Sequence, residues 1–247
     1  MVKPFTLISL AVVLVLIIAL LQALRHAKNY YILYNHAKLF PLDEHPAHPQ
    51  MNTENLRISI LGDSRAAAWA MKDLPTRWTI DQLGMNGFTS EQLKIMLLTG
   101  NFNFTRSVVI LQIGINDLKM IPLFPDKQDS IIRRLESNLS FVIHFCKDKG
   151  ADKIIVSTIF PIGKIPFLRR AVWSNEVYTA VQRVNQHIKS LKSEDVTIFD
   201  SCEILEDKNH IPSRGQDRYY EDALHLNREG YKVLNQSLFP LINASGS

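Results

Sequence analysis

A three-layer α/β/α domain with a mostly parallel sheet, carried behind one N-terminal transmembrane helix, is the fold class this 247-residue sequence predicts. Three observations lead there. An uncharged apolar run opens the chain. Short β-branched segments, apolar on both faces, recur after residue 56. Between them lie longer stretches with apolar residues at helical spacing, and this alternation is what a sheet covered on both sides by helices requires.

The first element spans Phe5 to Leu24, FTLISLAVVLVLIIALLQAL, with no charge between Lys3 and Arg25. Twenty residues at about 1.5 Å each make a helix of roughly 30 Å, the thickness of the hydrocarbon core of a bilayer. Bulky residues continue to the end of the run, without a small-residue cleavage site, which favours an uncleaved anchor over a cleaved signal peptide. Lys3 and the terminal amine on one side balance Arg25 and Lys28 on the other, so charge does not set the orientation. The expected division is an anchor over residues 1–28, a juxtamembrane stalk and linker over 29–55, and a globular domain over 56–247. Residues 35–55 lack periodicity and carry three prolines, in keeping with a linker. His45 and His48 fall in that segment, where solvated histidines are the expectation and a metal site is not.

Within the domain, LRISIL (56–61), VVILQI (108–113), KIIVSTI (153–159) and VTIF (196–199) are strands, and WTIDQL (78–83) is a weaker one. Ile132, Leu135, Leu139 and Cys146 mark a helix over 129–149. Val177, Val181, Val184 and Ile188 mark another over 175–192, and a last helix runs from Arg228 to Leu238.

Composition narrows the function. The net charge is +4, but residues 1–40 hold Lys3, Arg25, Lys28 and Lys38 with no acid, and the remainder has 24 basic and 24 acidic residues. All the excess positive charge flanks the apolar run, which excludes a nucleic-acid partner and leaves the membrane as the basic segment's neighbour. Two cysteines cannot staple a disulfide scaffold; Cys146 is expected as a buried free thiol, and its pairing with Cys202 stays open.

In a parallel α/β sheet, ligands bind beyond the carboxyl ends of the strands, and four groups of polar residues stand there. The first strand ends in Gly62-Asp63-Ser64-Arg65. The weak strand is followed by Gly84-Met85-Asn86-Gly87-Phe88-Thr89-Ser90, with Thr89 or Ser90 as a helix cap. The next strand ends in Gly114-Ile115-Asn116-Asp117, and Asp222-Ala223-Leu224-His225 precedes the last helix. Each group alone is explained by turns and N-caps. Together they hold a hydroxyl, an imidazole to take its proton and a carboxylate to orient the imidazole, which is the set a serine nucleophile needs.

Gly-Asp-Ser, Gly87, Gly-x-Asn-Asp and Asp-x-x-His, in this order, resemble the SGNH (GDSL-type) hydrolase family, over residues 57 to about 240. The resemblance implies a flavodoxin-like sheet and hydrolysis of acyl or acetyl esters without a metal or organic cofactor. It implies Ser64 as nucleophile, His225 as general base, and Asp222 as its orienting carboxylate. The oxyanion hole is then the Ser64 and Gly87 amides with the Asn116 carboxamide. The substrate expected is a small-molecule, glycan or lipid ester, and the domain is expected outside the cytoplasm. Gly62-x-Ser64-x-Ala66 also suggests the nucleophile elbow of α/β-hydrolases, but the adjacency of Asp222 and His225 argues against that fold.

Arg65 departs from the family pattern, and two readings of it remain. It contacts an anionic substrate group, or it is structural, paired with Asp63 or a surface acid; the second is favoured, with the charge solvated. The segment FPIGKIPFLRRAVWSNE (160–176) mixes apolar and basic residues at the expected mouth. An acyl pocket, a membrane contact and simple packing are all open for it. An acyltransferase using the same three residues is the rival reaction, and a non-catalytic binding protein is the weaker alternative.

Overall fold

The computed structural model describes residues 4–39, 56–71, 78–209 and 213–243. The chain divides into two units, Met1–Phe40 and Pro41–Ser247. The first is one helix, α1 (Pro4–Leu39), which continues beyond the apolar run through Tyr30, Tyr31 and Tyr34. Its Ser9–Leu39 portion is long and apolar enough to cross a membrane, a property that signal sequences share. His45, His48 and most of the expected linker lie outside the described residues, as does His210.

The second unit is built on five parallel strands in the order β2-β1-β3-β4-β5. They are β1 (Leu56–Gly62), β2 (Trp78–Gly84), β3 (Ser107–Gln112), β4 (Lys153–Ser157) and β5 (Val196–Phe199). Each expected strand is present, including the weak one at 78. Residues alternate between faces along a strand. Ile58, Ile60, Val108, Ile110 and Ile155 pack with Trp69, Phe160 and the apolar side of α8 (Arg228–Asn243). On α3 (Ser90–Thr99), α5 (Gln128–Asp148) and α6 (Glu176–Ser190), which pack against one another in the order α3-α5-α6, the apolar stripes are likewise buried.

Most elements shift by a residue or two from their expected bounds, and β4 and α8 do so for visible reasons. Strand β4 stops at Ser157 because Ile159 exchanges its backbone hydrogen bonds with a side chain: its N–H donates to Asn185 Oδ1 at 2.7 Å, and its carbonyl accepts from Asn185 Nδ2 at 3.0 Å. Helix α8 runs past Leu238 to Asn243 and includes Pro240, with Leu238 and Ile242 buried on either side.

The strand order reverses at β1. The chain steps outward from β1 to β2, then returns to place β3 on the other side. Such a reversal leaves a crevice beyond the carboxyl ends of the two central strands. Ser64 follows β1 and Asn116 follows β3, so both are delivered to that crevice.

Candidate active site

The turn after β1 is built by backbone proximity. Gly62 has φ +148°, and a Cβ there would lie 1.8 Å from the Gln112 carbonyl oxygen on β3. Only glycine fits. Asp63 then caps a short helix, α2 (Ser64–Ala67), its Oδ1 accepting from the Arg65 N–H at 2.8 Å. Ser64 is thereby held at the first position of that turn, with its hydroxyl at the crevice.

The hydroxyl meets residues far along the chain. Ser64 Oγ lies 3.0 Å from His225 Nε2, and His225 Nδ1 lies 2.9 Å from Asp222 Oδ2. The other Asp222 oxygen accepts from the Leu224 and His225 N–H groups at 2.7 and 2.8 Å. Burial alone would raise the Asp222 carboxyl. The hydrogen bonds from His225 and from the Leu224 and His225 amides outweigh it and hold the group down at about 2. Asp222 is therefore an anion at neutral pH. The loop is closed at its base by Glu221 N–H donating to the His225 carbonyl at 3.0 Å and by a bridge between Tyr220 and Leu226.

Arg65 corrects an expectation. Its charge is not solvated, and among the described residues no acid forms an ion pair with it; the side chain is fully buried. Nε donates to the Leu224 carbonyl at 2.7 Å, Nη1 to Phe160 at 3.0 Å and Nη2 to Pro161 at 3.4 Å. Its own carbonyl accepts from the Tyr231 hydroxyl at 2.9 Å. The residue after Ser64 thus ties the serine turn to the loop that carries His225 and to the exit of β4. An arginine has five N–H donors in a rigid fork, and carbonyls at three places satisfy it without a counter-ion.

Gly87 and Asn116 stand on the other side of the crevice. Gly87 adopts φ 76°, in the left-handed region that favours glycine. Asn116, in the short helix α4 (Ile115–Leu118), is 3% exposed. Its Nδ2 donates to the Phe88 carbonyl at 2.9 Å, and its Oδ1 accepts from Lys119 Nζ. A carbonyl only accepts and an ammonium only donates, so these two partners fix which way round the carboxamide sits. One Nδ2 hydrogen remains beyond the bond to Phe88. Sequence reasoning missed Lys119, although its spacing of three from Asn116 on one turn was a usable signal.

Asp117 turns away from the crevice. It accepts from the Ser90 N–H and from Ser90 Oγ at 2.6 Å, locking β3's exit to the start of α3, whose N-cap is Thr89 in a capping box with Gln92. Burial pushes the Asp117 carboxyl up to about 7 against the hydrogen bonds from Ser90. The crevice itself is a cleft of about 460 Å³ walled by Ser64, Gly87, Asn116, Lys119, Arg169 and His225, among others. Of the 160–176 segment, Arg169 reaches this cleft, while Phe167 is 79% exposed and Ile162 is buried. Cys146 and Cys202 are free and buried. Among the described residues, no three His, Cys, Asp or Glu side chains gather as a metal site.

Comparison with known proteins bears on the family and the fold. The GDSL-like Lipase/Acylhydrolase family model matches residues 52–233. No curated protein matches the sequence. Among solved structures, a member of the lipolytic protein G-D-S-L family from Veillonella parvula shares the fold at TM-score 0.56 and 16% identity, over 76% of this chain and 98% of its own. A GDSL-like lipase from Bacteroides thetaiotaomicron does so at 0.56 and 15%, over 88% and 98%. The aryl esterase of M. smegmatis gives 0.55 and 15%, over 76% and 98%. The chain belongs to the GDSL-like lipase/acylhydrolase family.

Proposed function

We propose that this protein is a membrane-anchored serine esterase whose catalytic domain works outside the cytoplasm, cleaving acyl or acetyl esters through an acyl-enzyme. The observation that carries the reading is the unbroken chain of hydrogen bonds from Ser64 Oγ through His225 to Asp222, at 3.0 and 2.9 Å. In the first half-reaction, Ser64 Oγ attacks the ester carbonyl carbon while His225 Nε2 takes the hydroxyl proton. The tetrahedral intermediate collapses, the carbon–oxygen bond to the alcohol breaks, and His225 returns the proton to the departing oxygen. Water then repeats the sequence on the acyl-serine and releases the carboxylic acid. Asp222, ionised at working pH, holds the imidazole tautomer and stabilises its transient positive charge.

Negative charge develops on the carbonyl oxygen in both steps. The Ser64 and Gly87 amides and the remaining Asn116 Nδ2 hydrogen are its donors, and Lys119 keeps the carboxamide turned so that nitrogen faces the cleft. The α1 helix serves as the anchor, since its apolar run continues without interruption through a full bilayer thickness.

The test is hydrolysis of an aryl acetate, butyrate and octanoate series by the full-length protein in detergent, beside Ser64→Ala. Wild type should turn over at least one ester, and the variant should lose about 10⁴–10⁶ in kcat. Equal rates for the two proteins would remove the esterase reading. The chain-length profile reports the depth of the acyl site.

A further inference from the structure

The cleft around Ser64 carries more positive charge than ester cleavage requires. Lys119 and Arg169 both line it, and none of the residues lining it is an aspartate or glutamate. Three carboxylates stand behind the cleft wall: Asp222 on His225, Asp63 under the Arg65 amide and Asp117 on Ser90. Lys119 is committed to Asn116 Oδ1. Arg169 is differently placed. Its guanidinium lies over the Trp173 ring, 5.8 Å from the centroid, and forms no ion pair with any described carboxylate.

Arg57 pairs with Asp81, Arg183 with Asp129 and Arg214 with Asp217, and each guanidinium nitrogen of Arg65 bonds a backbone carbonyl. Arg218 lies over the Tyr219 ring much as Arg169 lies over Trp173, but of these arginines Arg169 alone lines the Ser64 cleft. Arg169 is half-buried and has only an aromatic face as its described side-chain partner. The Trp173 ring is an apolar neighbour that takes no N–H from the guanidinium's polar edge, so those donors can serve a planar or tetrahedral anion. The start of the Arg169 segment is pinned to the His225 loop, with Gly163 N–H donating to the Ala223 carbonyl at 2.9 Å and Ile162 bridged to Arg214.

We infer that Arg169 is a specificity-determining residue that binds a carboxylate or phosphate on the substrate, so that the protein selects esters carrying an anionic group close to the scissile bond. The inference rests on the esterase reading above. Lys119, although bonded to Asn116, adds to the positive field that draws such a group into the cleft. The anion belongs to either half of the ester, and matched pairs of substrates separate the two cases. An aryl hemisuccinate against the aryl butyrate places the charge on the acyl half. An acetoxybenzoate against its methyl ester places it on the alcohol half.

The quantity to measure is the ratio of kcat/KM for the charged and neutral members of each pair, using full-length protein at low ionic strength. In wild type, one pair should favour the charged ester, and added salt should shrink the preference. Arg169→Gln should lower that ratio by about 10–100-fold, the range expected for a charge-assisted hydrogen bond. Arg169→Glu should lower it further. A ratio near unity in wild type for both pairs, or one that Arg169→Gln leaves unchanged, overturns the inference while Ser64-dependent hydrolysis stands. Absence of Ser64-dependent turnover on every ester removes the esterase reading and this inference with it.

Discussion

The serine turn and the segment that follows β4 face one cleft, and each brings an arginine, yet the two arginines are held in opposite ways. Arg65 is fully buried, with carbonyls of Leu224, Phe160 and Pro161 around its fork. Arg169 is partly exposed, set over one ring and without an ion pair to any described carboxylate. A fully buried cation, each of whose nitrogens already bonds a carbonyl, is out of a substrate's reach, so its contribution is to hold the architecture. A cation with an open donor edge at a cleft can still bind something. Sequence alone offers two basic residues; their surroundings assign them opposite work.

The same contrast runs through the donor side of the cleft and sets the largest expected effect after loss of the nucleophile. Asn116→Ala removes a donor aimed at developing charge and should lower kcat by about 10²–10³ with little change in KM. Lys119→Met leaves the donor but releases its orientation, so the loss should be smaller, on the order of 10-fold. If Lys119 acts only through Asn116, the double variant should be no slower than Asn116→Ala alone. Additive losses in steady-state kinetics would show that Lys119 touches the substrate directly.

Arg65→Met sharpens the comparison from the stability side. The substitution strands the Leu224 and Phe160 carbonyls in a buried site, at a cost of about 2–4 kcal/mol in folding free energy. Urea denaturation should register that loss, with activity falling because the His225 loop is no longer tied to the serine turn. Arg169→Gln, by contrast, should leave the denaturation midpoint nearly where it was, since it removes a half-exposed side chain that bonds no buried carbonyl. Equal stability for the two variants would erase the distinction between them.

Much of this was legible in the sequence because local chemistry announces it. Val, Ile and Leu on both faces of the strand segments fixed their place in a covered parallel sheet, and Gly62 and Gly87 stood among the turn residues expected beyond the carboxyl ends of the strands. Asp222 and His225, three apart before a helix, could be joined to a distant serine because parallel strands end at one edge. What remained hidden depends on long-range proximity. Nothing beside Arg65 in the sequence indicates that its acceptors lie 95 and 159 residues away. The early end of β4 required Asn185, from another helix, to replace a strand partner. The open edge of Arg169 is visible only once every acid near it has been placed.

The central claim is that His225 makes Ser64 a nucleophile, and covalent labelling tests it without choosing a substrate. Full-length protein treated with an aryl fluorophosphonate and examined by intact mass and peptide mapping should carry one phosphonyl group, on Ser64, and His225→Ala should label at a rate lower by orders of magnitude. Labelling at another serine, or labelling of Ser64 at an unchanged rate in the His225→Ala protein, would contradict the account.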